Sequence, residues 1–289
     1  MSNEVECVWP VAAQLGEGPM WSQDEHALWF VDIISKQLHR LDDSTNEHRS
    51  WSTPEFSAFI FPASNGKFIC GLKNGLHEFD SATGSFTLRV RVDSEFKYNR
   101  LNDGYVDDRG RLWFGTMDIN QTAASGSLYC YSDHQIKRCD AGYVITNGPS
   151  ISLDGTTLYH VDTQKQLVYA FDLDARGMLT NRRVLVRIEE SSVFPDGPVV
   201  DANGNLWIAM FGGWGVRCYS PQGKMIDEIK LPVSNCTKVA FGGDDLRTMY
   251  ITTAWVGLTE QQRKEQPLAG GLFKVRVEVS GLPQNKFIV

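Results

Sequence analysis

The chain has 289 residues, 42% of them hydrophobic, and a formal net charge of -7. A negative surface argues against nucleic acid and anionic membranes as partners, and no apolar run approaches the roughly 20 residues that span a bilayer. Glycine and tryptophan are plentiful and long amphipathic helical patterns are absent, which favours an all-β chain rich in tight turns.

The N-terminal segment MSNEVECVWPVAAQ lacks a basic region followed by an apolar run, so no signal peptide is expected. The six cysteines form no CxxC pair, which argues against structural zinc and for free thiols in a reducing cytoplasm. One short pattern then recurs. Glu17-Gly18-Pro19 leads to Leu28-Trp29-Phe30-Val31, and Asn102-Asp103-Gly104 to Leu112-Trp113-Phe114-Gly115. Asn147-Gly148-Pro149 leads to Leu158-Tyr159-His160-Val161, and Asp196-Gly197-Pro198 to Leu206-Trp207-Ile208-Ala209. Turn clusters such as Asp108-Arg109-Gly110, Asp154-Gly155 and Asn203-Gly204 separate the two halves.

Central apolar strands begin near Leu28, Phe68, Leu112, Leu158, Leu206 and Met249. Their spacing of roughly 40 to 48 residues is that of a four-stranded propeller blade. Third strands are expected from Gln37, Gly75, Ser127, Gln166, Gly215 and Gly271, and outer strands near Glu47, Ser85, Ile136, Arg183 and Lys224. The sixth unit lacks an outer strand, and the alternation over Val5 to Val11 can supply it. The predicted fold is therefore an all-β, six-bladed β-propeller of four-stranded antiparallel blades, one domain over 1–289, its ring closed by the N-terminal strand. A pair of β-sandwiches explains the strands but not six similar units.

In a propeller the first strand of each blade lines a central channel. The repeat register places Glu17, Ser57, Asn102, Asn147, Asp196 and Thr237 at one mouth. Each offers an oxygen, the chemistry of a hard divalent cation, and no histidine or cysteine belongs to the set. Any one copy reads as an ordinary Asx-Gly turn. Four in equivalent register point further, because two carboxylates at a narrow mouth repel unless a cation offsets them. Second strands end at the same mouth, bringing Asp32, Asp118 and Asp162 toward it, with turn bonding to backbone the favoured role of Asp32 and Asp162. Arg100 can aim a fixed positive fork into the pocket, and Phe211 and Trp214 are candidates for an aromatic wall.

The motifs LGEGPMW, NRLNDGYVDDRGRLWFGTMD, ITNGPSISLDGTTLYHVDT, FPDGPVVDANGNLWIAM and PLAGGLFKV resemble those of the gluconolactonase and regucalcin (senescence marker protein) family, from about Leu15 to Lys274. The loop FGGWGVRCYSPQG is most similar to bacterial xylono- and arabinonolactonases. The resemblance implies a six-bladed propeller that hydrolyses sugar lactones with one divalent metal. It carries the metal ligands onto Glu17, Asn147 and Asp196, three of the six positions that the register selects. It carries substrate contacts onto Arg100 and Asn102. Regucalcin-like members place a substrate-touching glutamate after the GTM motif. Here that slot is Asn120, and Asp118 is a candidate to substitute.

The expected reaction is hydrolysis of an aldonolactone to the aldonic acid, with a pentonolactone such as xylonolactone or arabinonolactone as substrate. Asp196 is the candidate catalytic base, and Arg100 and Asn102 orient the ring. The absence of a GxSxG elbow agrees with a mechanism that needs no serine nucleophile. Oxygen ligation leaves Fe2+, Ca2+, Zn2+, Mn2+ and Mg2+ open. Three rivals share the scaffold: an aryl-ester or organophosphate hydrolase, a calcium-binding regulator of the regucalcin type, and a WD40-like scaffold whose GH…WD signature is missing here. The expected partner is a small-molecule sugar lactone, and the expected oligomeric state is monomer.

Overall fold

A computed structural model describes residues 4–289. It contains six four-stranded antiparallel sheets. Blades 1 to 5 each take four consecutive strands, and their inner strands are Gly16–Ser22, Ser57–Pro62, Asn99–Val106, Thr146–Ile151 and Phe194–Val200. Blade 6 runs Cys236–Gly242, Thr248–Thr253 and Leu272–Arg276, and its fourth strand is Glu6–Trp9. The ring is thus closed as the sequence predicts, with Glu6 opposite Lys274 and Cys7 opposite Phe273. The inner strands of neighbouring blades touch one another around the ring, from blade 1 through to blade 6 and back to blade 1.

Burial falls from the axis outward. Gly16–Ser22 is buried throughout, whereas the outer strand His48–Ser52 of the same blade is largely exposed. The core lies between adjacent sheets. Trp29 of blade 1 packs on Phe68 of blade 2, with ring centroids 4.8 Å apart, and Trp21 of blade 1 stacks on Tyr250 of blade 6 at 5.8 Å. Each such side chain contributes about 2 to 3 kcal/mol through burial. These aromatics are the residues that make the repeat visible in the sequence.

The two ends of each inner strand are built differently. At the far mouth, tight turns recur. Asp107 accepts from Arg109 N, Arg111 N and the Trp113 indole, and Asp201 accepts from Asn203 N, Asn205 N and the Trp207 indole. The C-terminal segment crosses this face: Phe287 N donates to Pro62 O, Ile288 N to Gly110 O, and the Asn285 amide to Val106 O. A six-residue helix, Glu260–Glu265, stands between the second and third strands of blade 6, started by a Thr259–Gln262 capping box. Helical patterning in the sequence does not reveal it, because it buries no residue. Among the described residues no helix is long and apolar enough to cross a membrane.

Candidate active site

All six inner strands slip register at the near mouth. Four residues, Leu101 to Gly104, oppose the three of Phe114 to Thr116, and the same one-residue excess occurs after Glu17, Ser57, Asn147, Pro195 and Cys236. Each slip is a β-bulge, which bends the strand and re-aims its side chain. The local cause is visible in blades 1 and 4. Gly18 and Gly148 sit at φ of +54° and +76°, in the left-handed region that favours glycine. The bulges turn Glu17, Asn102, Asn147 and Asp196 toward one cavity.

That cavity has a volume of about 290 Å3. Glu17, Arg100, Asn102, Asn147 and Asp196 all line it, together with Phe194 and Phe211. Two buried carboxyls face each other here. Burial, and then the charge of Asp103, pushes Glu17 up to about 8. Burial, and then the charge of Glu17, raises Asp196 well above the usual carboxylate range. The Asp196 Oδ1 atom is buried and has no hydrogen-bond partner among the described residues. A buried polar atom without a partner is costly and calls for an explanation. Arg100 is also desolvated, which lowers it to about 10 against the opposing pull of Glu17 and Asp196.

The amides are oriented by a chain of hydrogen bonds. Asn147 Nδ2 donates to Thr163 Oγ1 at 2.9 Å, and Thr163 Oγ1 donates to Pro195 O at 3.0 Å. This fixes Asn147 Oδ1 on the other side, where it accepts from Asn102 Nδ2 at 2.9 Å and keeps a second lone pair. Asn102 Oδ1 accepts from Arg100 Nη1 at 2.6 Å, and the same nitrogen donates to Leu101 O at 2.9 Å. The other guanidinium N–H groups of Arg100 make no hydrogen bond among the described residues.

A dication fits this chemistry. Two carboxylates that repel each other, one orphaned carboxylate oxygen and one oriented amide oxygen form an all-oxygen donor set for a hard cation. Glu17, Asn147 and Asp196 would hold it.

The other sequence candidates lie elsewhere. Asp118 is buried, but its carboxylate accepts from Asn120 N, Thr122 N, Thr122 Oγ1 and Ala123 N and so braces its own loop. Those backbone bonds hold its carboxyl low. Asn120 is exposed on that loop, and Gln121 lines the cavity in its stead. Asp32 accepts from Gln14 N, Leu15 N and Ser35 N, and Asp162 pairs with Lys165. Trp214 is 44% exposed and away from the cavity, whereas Phe211 forms part of its wall. Ser57 and Thr237 are buried below the rim, Thr237 donating to Gly16 O at 2.6 Å. Thr163, Gln121 and Gln164 line the site without a sequence signal of their own. Of these, Thr163 was within reach, because it follows Asp162 at the end of a second strand.

These features define the class: a six-bladed β-propeller with an acidic, oxygen-rich cavity at one mouth of its channel. Residues 15–255 match the family model described as SMP-30/Gluconolactonase/LRE-like region. The chain belongs to that family. It is 35% identical to regucalcin of Xenopus laevis over 99% of both chains, and 34% identical to 6-deoxy-6-sulfogluconolactonase of Pseudomonas putida, also over 99% of both. Its backbone superposes with a TM-score of 0.95 on the crystal structure of a calcium-binding protein, regucalcin, from Agrobacterium tumefaciens. That match has 28% identity and covers 99% of this chain and 98% of the other.

Proposed function

We propose that this chain is a lactonase that opens a neutral sugar lactone, a pentonolactone such as xylonolactone or arabinonolactone, to the aldonic acid, using one divalent cation held by Glu17, Asn147 and Asp196. The observation that carries this reading is the buried Glu17–Asp196 pair, with its orphaned oxygen, set against Arg100 in one cavity. A 6-deoxy-6-sulfogluconolactonase and a putative sugar lactone lactonase among the relatives support the reaction class. The finer substrate assignment rests on the cavity. At about 290 Å3 it is at the small end of ligand pockets and suits a single ring. Among the described residues Arg100 is the one cationic side chain in its wall. Against two carboxylates this leaves little to hold a sulfonate or phosphate, which favours an uncharged lactone.

When bound, the cation supplies electrophilic polarisation of the ester carbonyl. The chain's own groups do the rest. Arg100 offers its free N–H groups to the lactone oxygens, and the lone pair left on Asn102 Oδ1 accepts from a ring hydroxyl. Phe194 and Phe211 cover the apolar face of the sugar and exclude water from it. Asp196 takes the proton of the attacking water through the carboxylate oxygen it does not give to the cation, and returns it to the departing ring oxygen. In the same reading the chain acts as a one-domain monomer in the cytoplasm, where its six free thiols are at home.

The test is metal analysis of the purified protein, coupled to hydrolysis of a pentonolactone panel with and without chelator. Turnover that stops with chelator and returns with one dication is the expected result. Calcium binding with no turnover of any lactone would instead favour a regulatory protein. Faster hydrolysis of aryl esters than of any lactone would favour the ester hydrolase.

A further inference from the structure

Beneath the cavity a single side chain crosses the channel. Lys238, on the inner strand of blade 6, is buried and runs over Gly197 of blade 5, where an added Cβ would come within 2.6 Å of Lys238 Cγ. Its ammonium group donates to Asp103 Oδ1 and, at 3.2 Å, to Gly104 O, both on blade 3. Asp103 is fully buried. Its Oδ1 also accepts from Gly104 N at 2.7 Å, and its Oδ2 accepts from Gly148 N of blade 4 at 2.8 Å, one residue from Asn147. Lys238 and Gly104 line a separate, smaller cavity of about 70 Å3 at the far mouth, which shares no residue with the site cavity. The Lys238–Asp103 pair is therefore the floor between them.

An ion pair makes a costly floor. Its desolvation is offset only when every donor and acceptor is satisfied, and packed apolar side chains of equal volume do as well or better. The placement has an electrostatic consequence instead. Glu17, Asp103 and Asp196 are buried beside Arg100 and Lys238, so with the carboxyls ionised, as binding of a dication requires, the channel carries one surplus negative charge. Removing Lys238 leaves two, and neutralising Asp103 leaves none. Both charges lie against the backbone of the candidate ligands: Asp103 Oδ2 accepts from Gly148 N, one residue from Asn147, and the Lys238 stem packs on Gly197, one residue from Asp196.

We propose that Lys238 and Asp103 are positioning residues that set how tightly this site holds a dication, Asp103 strengthening the grip and Lys238 limiting it. This rests on Glu17, Asn147 and Asp196 being the ligands, as read above. The two members of one ion pair then act in opposite directions, which a brace would not do.

The test is calorimetric titration of chelator-stripped full-length protein with MnCl2 and with CaCl2. Asp103→Asn is expected to weaken binding by about tenfold and Lys238→Met to tighten it by about tenfold, for one unit charge acting through the protein interior. The double variant D103N/K238M should return to within about threefold of the unaltered protein. Lys238→Arg, which keeps the charge, should bind as the unaltered protein does. Should K238M fail to fold, the comparison of D103N with the double variant decides, since adding K238M must then restore affinity. Weakening in both single variants, or no change in either, overturns the proposal and leaves a structural brace. An unaltered protein that binds neither ion refutes the ligand assignment itself, a separate failure read in the same experiment.

Discussion

Asp196 and Asp201 lie five residues apart at opposite ends of one inner strand, and they face opposite circumstances. Asp201, at the far mouth, accepts from two backbone amides, from the Asn205 side chain and from the Trp207 indole. Asp196, at the near mouth, keeps a buried oxygen with no partner and sits against another carboxyl. The first arrangement stabilises the fold. The second destabilises it and leaves an unfilled valence in the cavity where the proposed cation and proton would be handled. Residue type does not distinguish the two aspartates. The bulge does, because it breaks the ladder on one side of Gly197 and leaves it intact on the other.

The sharpest way to break this contrast is Asp196→Asn. Lactone hydrolysis should fall by about 10^3-fold or more, as expected when a proton acceptor and a ligand are lost together. The chelated protein should be no less stable than before, because the substitution removes a repelling charge. Full turnover in a pH-stat assay would remove Asp196 from both roles.

The next effect is on stability against pH. Glu17 titrates near 8 in the folded chain against 4.5 ordinarily. The native state therefore holds a proton that the unfolded chain has released, and stability falls as pH rises from about 5 to 8, levelling above that. The loss in chelated protein should be a few kcal/mol, read by denaturant midpoints. Saturating dication should abolish the fall, since both carboxylates are then paired. A flat profile in chelator would show that the carboxyl pair is not strained.

At the far mouth the expectation reverses. Asp201→Ala should cost about 2 to 3 kcal/mol of stability by orphaning the turn amides and the indole, with kcat on the lactone unchanged in the folded fraction. The smallest effect tests the wall. Phe211→Ala should raise KM by roughly fivefold, about 1 kcal/mol of lost contact, while Trp214→Ala should leave KM within about twofold.

The blades were legible because their signal is local. Leu-Trp-Phe in blades 1 and 3 and Leu-Trp-Ile in blade 5 mark buried second strands, and period and turn residues repeat with them. Strand ends are less so: the outer strand of blade 4, expected near Arg183 to Val186, runs Leu179–Arg187. The predicted closing strand, Val5 to Val11, pairs over Glu6–Trp9. The cluster of Glu17, Asn102, Asn147 and Asp196 was reachable because identical blades put equivalent residues on one ring. What the sequence hides is pairing between distant residues. Lys238 sits in the run Thr237-Lys238-Val239-Ala240, where a lysine in a buried strand is the only hint, and its partner is 135 residues away. Asp118 misleads for the opposite reason. Its partners are at most five residues downstream, and the loop takes up the carboxylate before any ligand can.

The seam between Glu6–Trp9 and Leu272–Arg276 has a bearing on how the molecule is born. Glu6–Trp9 is made before any other strand of the ring yet is matched last, because its neighbour emerges more than 260 residues later. Until then blade 6 cannot be completed, and the nascent chain carries an unmatched β-edge of the sort that recruits other chains. Closure of the ring therefore waits for the last blade, and destabilising Cys7 or Trp9 should lower the yield of correctly assembled protein more than the stability of what survives.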